Sequence, residues 1–231
     1  MTAIILAGGI GTRLKSIVND VPKPMALINE IPFLTYLLKY LKTQKVTDII
    51  ISVGYKGFVI QDYYSTEYSG IPIRYSVEDK PLGTGGAIKC ALDYCNDSSI
   101  LVLNGDSLFG IDVNKLMEFH IEQKATITLS LKKMYNVNRY GTINLDNNSI
   151  TEMKEKAYVE QGYINGGVYS INKNIFDMFS LPERFSFEEF ISDNIRDLNI
   201  FGFPTDGNFI DIGIPEDYLL AQKLLPDWIE L

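Results

Sequence analysis

The chain is poor in the residues from which many sites are built: its 231 residues include one histidine, one tryptophan and two cysteines. Cys90 and Cys95 stand five apart in a helix-like stretch. That spacing suits neither a redox CxxC pair nor a zinc site, so both read as plain core thiols. There is no block of lysine and arginine, and the formal net charge is −8, which excludes a nucleic-acid footprint or a basic membrane-binding face. An acidic balance serves solubility, and it also suits a chain that recruits a divalent cation. No apolar stretch is long enough to span a bilayer, and the amino terminus carries no cationic leader, so a cytoplasmic protein is expected. Linkers, internal repeats and low-complexity segments are lacking too. With 46% hydrophobic residues the chain can bury one sizeable core, and it reads as a single domain over residues 1–231. A homo-oligomer is left open.

What is present is periodic. Ala3–Leu6, Asp48–Val53, Ile71–Val77 and Ile100–Leu103 are short β-branched apolar runs of the kind that form buried strands. Between them lie helical patterns, Phe33–Leu41 with Phe33, Tyr36, Leu37, Tyr40 and Leu41 on one face, and Ala87–Tyr94. The alternation predicts an α/β fold: a mainly parallel, Rossmann-like mixed sheet flanked by helices, with ligands at the carboxyl ends of its strands. The second half changes to strand-like runs at Ala125–Lys132, Gly141–Leu145, Ile150–Lys154 and Gly167–Ser170, as in an antiparallel or mixed extension. A capping box at Ser186–Glu189 opens a helix toward Arg196, and Pro215 is placed as the first-turn proline of a helix through Leu225.

The segment after the first strand, Ala7-Gly8-Gly9-Ile10-Gly11-Thr12-Arg13-Leu14, can turn tightly and offer backbone N–H groups to phosphate oxygens. It is not the dinucleotide fingerprint, because Leu14 stands where the third glycine would fall, and it lacks the GK[ST] of a P-loop. Arg13 within the loop and Lys23 in the stiff Pro22-Lys23-Pro24-Met25 place two cations opposite one anion cradle, an arrangement that suits a triphosphate. Asp106 follows a buried apolar run and Asp211 ends another. Each alone would more often be a strand-end turn residue.

Leu6–Leu14 and Pro22–Met25 resemble the LAGGxGTRL and PKPM signatures of the sugar-1-phosphate nucleotidyltransferases. Leu82–Ala87, Asn104-Gly105-Asp106, Arg139-Tyr140-Gly141, Glu155-Lys156, Asn165-Gly166-Gly167 and Asp211–Tyr218 follow that family's order. Within it, the pattern is most similar to guanylyltransferases of D-glycero-D-manno-heptose 1-phosphate, enzymes of nucleotide-sugar supply for cell-surface polysaccharide. The resemblance implies a nucleotide-binding part at about 1–110 that uses Leu6, Ala7, Gly8, Gly9, Gly11, Thr12, Arg13, Lys23, Glu78, Gly83, Thr84 and Asp106. It implies a sugar-binding part at about 111–231 that uses Gly141, Glu155, Lys156, Asn165 and Gly166. Arg13, Lys23 and Asp106 are then the catalytic residues, and Asp106 and Asp211 the ligands of Mg2+. Gly83 and Gly85 let the backbone approach a flat base, and Glu78 reads its edge. A carboxylate only accepts, which favours the adjacent N1–H and N2–H donors of guanine. The family's EKP is here Glu155-Lys156-Ala157, and without the proline Lys154 is a competitor for Lys156 as holder of the sugar phosphate.

A sugar 1-phosphate is largely dianionic at neutral pH, its second pKa being about 6, so no strong base is needed to activate it. The lone His120 is thus dispensable and reads as a helix-surface or core residue. What remains is to align two anions and neutralise charge, work for cations and metal. The expected reaction joins GTP and a sugar 1-phosphate, with release of pyrophosphate. The alternatives are a hexose-1-phosphate uridylyl- or guanylyltransferase, and a non-catalytic module that binds nucleotide sugars. A glycosyltransferase would ordinarily carry an Asp-x-Asp metal pair, but Asp106 is followed by Ser107 and Leu108.

Overall fold

The computed structural model describes residues 1–229 apart from 10, 12, 13, 15, 16 and 19. The elements of the first half are β1 (Thr2–Leu6), a 3-10 turn at Lys23–Met25, β2 (Leu27–Ile28), β3 (Ile31–Pro32), α1 (Phe33–Thr43), β4 (Asp48–Val53), α2 (Gly57–Tyr64), β5 (Glu67–Tyr68), β6 (Ile71–Val77), α3 (Gly83–Leu92) and β7 (Ser99–Asn104). The second half adds β8 (Ser107–Phe109), α4 (Val113–Glu122), β9 (Ile127–Val137), β10 (Thr142–Asp146), β11 (Ser149–Lys154), β12 (Val159–Asn172), α5 (Phe187–Asp193), β13 (Ile200–Pro204), β14 (Phe209–Asp211) and α6 (Pro215–Trp228).

One ten-stranded sheet runs through both halves in the order β10-β11-β13-β9-β12-β7-β1-β4-β6-β5. Strands β7, β1, β4 and β6 are parallel, so their carboxyl ends at Asn104, Leu6, Val53 and Val77 open on one side. The antiparallel extension joins this block directly, because β12 pairs with β7 on one edge and β9 on the other. The apolar runs lack polar alternation because both faces of the parallel block are covered. Ala3, Ile5, Ile49, Ile51, Leu101 and Leu103 face the layer of α1, α4 and α6. Ile4, Ile50, Ile100 and Val102 face the layer of α3 and α5. Each isoleucine, leucine or valine among them, taken fully out of water, contributes about 1.5–3 kcal/mol.

The strands of the first half lie where the apolar runs placed them, with shifts of a residue at some ends. Three expectations need correction. Helix α3 starts at Gly83 rather than Ala87, because the glycines of its first turn are packed by a distant loop (below) and do not fray into solvent. Helix α5 is capped by Ser186, whose hydroxyl accepts from the Glu189 N–H at 3.2 Å, but it ends at Asp193, well short of Arg196. Cys90 is exposed, whereas Cys95 is buried. The inward stripe of this helix runs through Ile88, Ala91, Leu92 and Cys95, and Cys90 lies off it. Burial pushes the Cys95 thiol up to about 11, which leaves it a packing group rather than a nucleophile. The short pairing of β8 with β14, strand β13 and helix α2 carry too little periodicity to stand out in the sequence.

His120 is 1% exposed, and both ring nitrogens are engaged. Asn172 donates its amide to the Ala125 carbonyl at 3.2 Å, so its oxygen is the atom that meets Nε2 at 3.1 Å. Nε2 therefore carries the proton, and Nδ1 accepts from the Thr128 hydroxyl at 2.9 Å. This is a satisfied core histidine. Burial lowers its pKa, and the bond to Asn172 partly offsets that. The unfolded histidine takes up a proton near its ordinary pKa of about 6.5, whereas the folded one resists it to lower pH. Stability is accordingly full above about pH 6.5 and declines as the pH falls toward the folded pKa. The urea midpoint should drop between about pH 7.5 and 5.5, and His120→Gln should flatten that slope while being less stable at the upper end. An equal slope in the variant would contradict the assignment.

Candidate active site

The carboxyl ends of β1, β4, β6 and β7 build the floor of the site. Beyond Leu6 the chain stays fastened to the neighbouring strand end: the Ala7 N–H donates to the Ser52 carbonyl at 2.8 Å, and the Tyr55 N–H to the Gly8 carbonyl at 3.3 Å. A Cβ at Gly8 would sit 2.5 Å from Oε1 of Glu78, so this glycine is the space into which that carboxylate packs. Gly11 has φ +63° and faces the Lys23 side chain, whereas Gly9 faces open space. Thr12 and Arg13 lie outside the described residues.

Among the described residues, three from separate parts of the chain form the charged centre. Lys23, in its proline-flanked turn, is only 8% exposed. Its Nζ donates to Oδ2 of Asp106 at 2.6 Å and lies 3.7 Å from Oδ1 of Asp211. A buried ammonium needs such counter-charges, since desolvating it unpaired is prohibitive. The two aspartates are brought together by the β8–β14 pairing, in which Asp211 stands opposite Ser107 and the Ile212 N–H donates to the Asp106 carbonyl at 2.9 Å. The Gly213 N–H donates to Oδ1 of Asp211 at 2.6 Å and helps to orient it. Among the described residues no group of three metal-binding side chains converges. Two hard carboxylate donors do converge here, a number that fits a cation completing its shell with phosphate oxygens and water.

Two clefts meet at this centre. The first, of about 430 Å³, is lined by Leu6, Gly8, Gly9, Gly11, Glu78, Gly83, Thr84 and Asp106, together with Pro81, Ala87, Asn104 and Arg184. Glu78 is held at its mouth by two donors, the Ser52 hydroxyl to Oε1 at 3.0 Å and the Leu82 N–H to Oε2 at 3.1 Å. Each oxygen keeps a lone pair for a further donor. Gly83 and Gly85 are also required to be glycines by packing. A Cβ at Gly83, where φ is +73°, would collide with the Phe185 carbonyl, and one at Gly85 with the Phe185 ring. The 183–185 loop is laced to this turn by Phe185 N–H to Leu82 carbonyl and Gly85 N–H to Phe185 carbonyl, both at 3.0 Å. That contact carries Arg184 to the cleft wall, and no local feature of the sequence signals it.

The second cleft, of about 530 Å³, is lined by Gly141, Glu155, Lys156, Asn165 and Asp211, with Lys154, Arg139, Tyr140, Glu188 and others. Both lysines thus reach it; Lys154 lies 3.5 Å from Glu152. Asn165 is oriented by the Gly167 N–H, which donates to its oxygen at 3.0 Å, and by the Tyr169 hydroxyl, to which its amide donates at 2.8 Å. Gly166 is buried behind this wall, where a Cβ would strike the Phe109 ring and the Ser130 hydroxyl, so it shapes the strand irregularity between Asn165 and Tyr169. Thr84 lies on the wall of the first cleft, but its hydroxyl is turned toward α5. Arg139 pairs with Asp217 at 2.9 Å and ties this cleft to the start of α6.

Residues 2–227 match the Nucleotidyl transferase family. The chain is 48% identical over 230 residues to a protein of Aneurinibacillus thermoaerophilus named D-glycero-alpha-D-manno-heptose 1-phosphate guanylyltransferase, covering 99% of this chain and 100% of that one. It is 49% identical over 219 residues to a protein of the same name from Campylobacter jejuni, covering 94% and 97%. The crystal structure of HddC from Yersinia pseudotuberculosis superposes with a TM-score of 0.88 at 38% identity, over 96% of this chain and 98% of that one. The same protein complexed with GMP-PN superposes with a TM-score of 0.85. Fold, paired clefts and sequence therefore agree that this chain belongs to the nucleotidyl transferase family.

Proposed function

We propose that the protein, acting as one unit over residues 1–231, transfers the guanylyl group of GTP to D-glycero-α-D-manno-heptose 1-phosphate, giving the GDP-sugar and pyrophosphate. The observation that carries this reading is the convergence of Lys23, Asp106 and Asp211 where two clefts meet, one floored by a glycine loop and strand ends, the other rich in hydroxyl-reading groups. The names of the two relatives support the choice of base and sugar. A cytoplasmic setting fits a reaction that draws on nucleoside triphosphates, and no helix among the described residues is long and apolar enough to cross a membrane.

GTP occupies the first cleft with guanine toward Glu78 and its phosphates on the backbone of Ala7, Gly8, Gly9 and Gly11. The sugar phosphate enters the second, steered by Lys156 with Lys154 beside it. Its phosphate is a dianion near neutral pH and attacks without a base. The ammonium of Lys23 lies at the transferring phosphate and offsets the charge that builds there, and the family resemblance gives Arg13 the role of neutralising the leaving pyrophosphate. Holding the two reactants in line supplies the remainder of the rate. Asp106 and Asp211 would hold Mg2+, which when bound supplies charge neutralisation and orients the triphosphate.

Pyrophosphate release over a grid of four nucleoside triphosphates and several hexose and heptose 1-phosphates tests the reading. The highest kcat/KM should fall on GTP with the heptose. A maximum at UTP with a hexose 1-phosphate would contradict it, and no release with any pair would leave a binding module. In the same grid Glu78→Gln should lower the preference for GTP over UTP about ten-fold, the cost of one mismatched buried polar contact. The Leu82 N–H forces the glutamine oxygen to its side, so the amide NH2 replaces the acceptor near Ser52. An unchanged ratio would show that Glu78 does not face the base.

Excess chelator should abolish turnover and added Mg2+ restore it. Asp106→Asn and Asp211→Asn should each lower kcat by about a hundred-fold or more while retaining a cooperative melt. Full turnover in chelator would overturn the metal assignment, and wild-type kcat in either variant would remove that aspartate from the centre.

A further inference from the structure

Between the two clefts lies a contact that neither the glycine loop nor the charged centre explains. Thr84, in the first turn of α3 and on the wall of the first cleft, has its hydroxyl 2.8 Å from the Phe187 N–H and 2.8 Å from Oε2 of Glu188. An N–H can only donate, so the hydroxyl accepts from Phe187 and must send its single proton to Glu188. Ser186 repeats the arrangement: its hydroxyl accepts from the Glu189 N–H at 3.2 Å and donates to the same Oε2 at 3.0 Å. Both protons are thereby committed to one oxygen. The other, Oε1, has no hydrogen-bond partner among the described residues, and Glu188 lines the second cleft.

A carboxylate fixed through one oxygen and open at the other is a preorganised acceptor. Its neighbour on the same wall is Asn165, held by Gly167 and by the Tyr169 hydroxyl. Burial first, and then the nearby Glu188 charge, push that hydroxyl well above the ordinary tyrosine range, so Tyr169 stays a neutral hydroxyl beside the carboxylate. Glu188 presents an oriented oxygen acceptor and Asn165 an oriented amide, which together match the hydroxyls of a polyol.

We propose that Glu188 accepts a hydroxyl of the sugar through Oε1, and that Thr84 is a positioning residue for the sugar, serving from the nucleotide side of the site by holding Oε2. This rests on the assignment of the second cleft to the sugar 1-phosphate. Thr84 is then distinct from the residues that touch the nucleotide with their side chains, although it sits among them.

The test is steady-state kinetics of Thr84→Val, Thr84→Ser and Glu188→Gln, with KM for GTP and KM for the heptose 1-phosphate measured separately. Valine keeps the shape and removes the hydroxyl. It should raise the sugar KM about ten-fold and leave the GTP KM within about two-fold, and serine should restore the sugar KM to near wild type. Glu188→Gln should raise the sugar KM by a similar factor, and the double variant Thr84→Val/Glu188→Gln should be no worse than the poorer single one, because the two act through one contact. A rise in the GTP KM with an unchanged sugar KM would overturn the proposal and place the Thr84 side chain on the nucleotide. A fall in kcat alone, with both KM values unchanged, would reduce the contact to support of α5 and overturn it equally. Wild-type protein that turns over no sugar 1-phosphate at all would overturn the proposed function and this inference with it. Normal wild-type turnover without the KM split would overturn the inference alone.

Discussion

The ammonium of Lys23, enclosed between the carboxylates of Asp106 and Asp211, is the constraint around which the rest of the site is arranged. A lysine 8% exposed can stay charged only where negative groups have been brought to it. That requires three chain segments far apart in sequence to end at one place. Pro22 and Pro24 stiffen the turn that carries the lysine. Gly105 allows β7 to turn tightly against the Leu6 carbonyl, to which its N–H donates at 2.9 Å. The two-strand pairing of β8 with β14 exists beside the main sheet and sets Asp211 next to Asp106. Take away the pairing and the second carboxylate has no reason to be there.

The same centre joins the two clefts, since Asp106 lines the first and Asp211 the second. The walls differ in chemistry accordingly: glycine backbone, Glu78, Asp106 and Arg184 around the first, an oriented amide, carboxylates, Arg139 and two lysines around the second. Helix α5, though short, serves both. Its cap at Ser186 and its first residues are bound to Thr84, and its Glu188 faces the second cleft. Electrostatic preorganisation of this kind needs no movable base, which is consistent with the only histidine being a satisfied core residue far from the charged centre in its bonding.

Much of this was legible in the sequence, and the division between what was and was not has a physical cause. Buried parallel strands declare themselves as short apolar runs because both faces are covered, and Asp48–Val53 and Ile71–Val77 are found over those very residues. The loop after Leu6, the Pro22–Met25 turn, Asp106 and Asp211 were read from local spacing and family resemblance, and the folded chain draws the described ones among them together. Features set by distant partners were hidden. Gly83 and Gly85 look like approach points for a ligand, yet what occupies their missing Cβ space is Phe185, a hundred residues away. Thr84 lines the first cleft, and the commitment of its hydroxyl to Glu188 is set by a segment distant in the chain. Arg184 reaches the cleft through that same loop contact, and Cys90 falls off the buried stripe by a rotation that spacing to Cys95 alone does not reveal.

In the proposed reaction Lys23 acts as a fixed charge and the sugar phosphate itself attacks GTP, with no bond ever formed between the nucleotide and the protein. A lysine nitrogen 2.6 Å from a carboxylate could in principle serve instead as a nucleophile that carries the guanylyl group. Exchange of labelled pyrophosphate into GTP separates the two directly. Direct transfer predicts exchange only when the sugar 1-phosphate or its GDP-sugar product is present, because labelled pyrophosphate enters GTP only by attacking the guanylyl group of the GDP-sugar, with the sugar 1-phosphate as leaving group. Exchange at a comparable rate with enzyme, magnesium, GTP and pyrophosphate alone would reveal a guanylyl-enzyme and contradict the account.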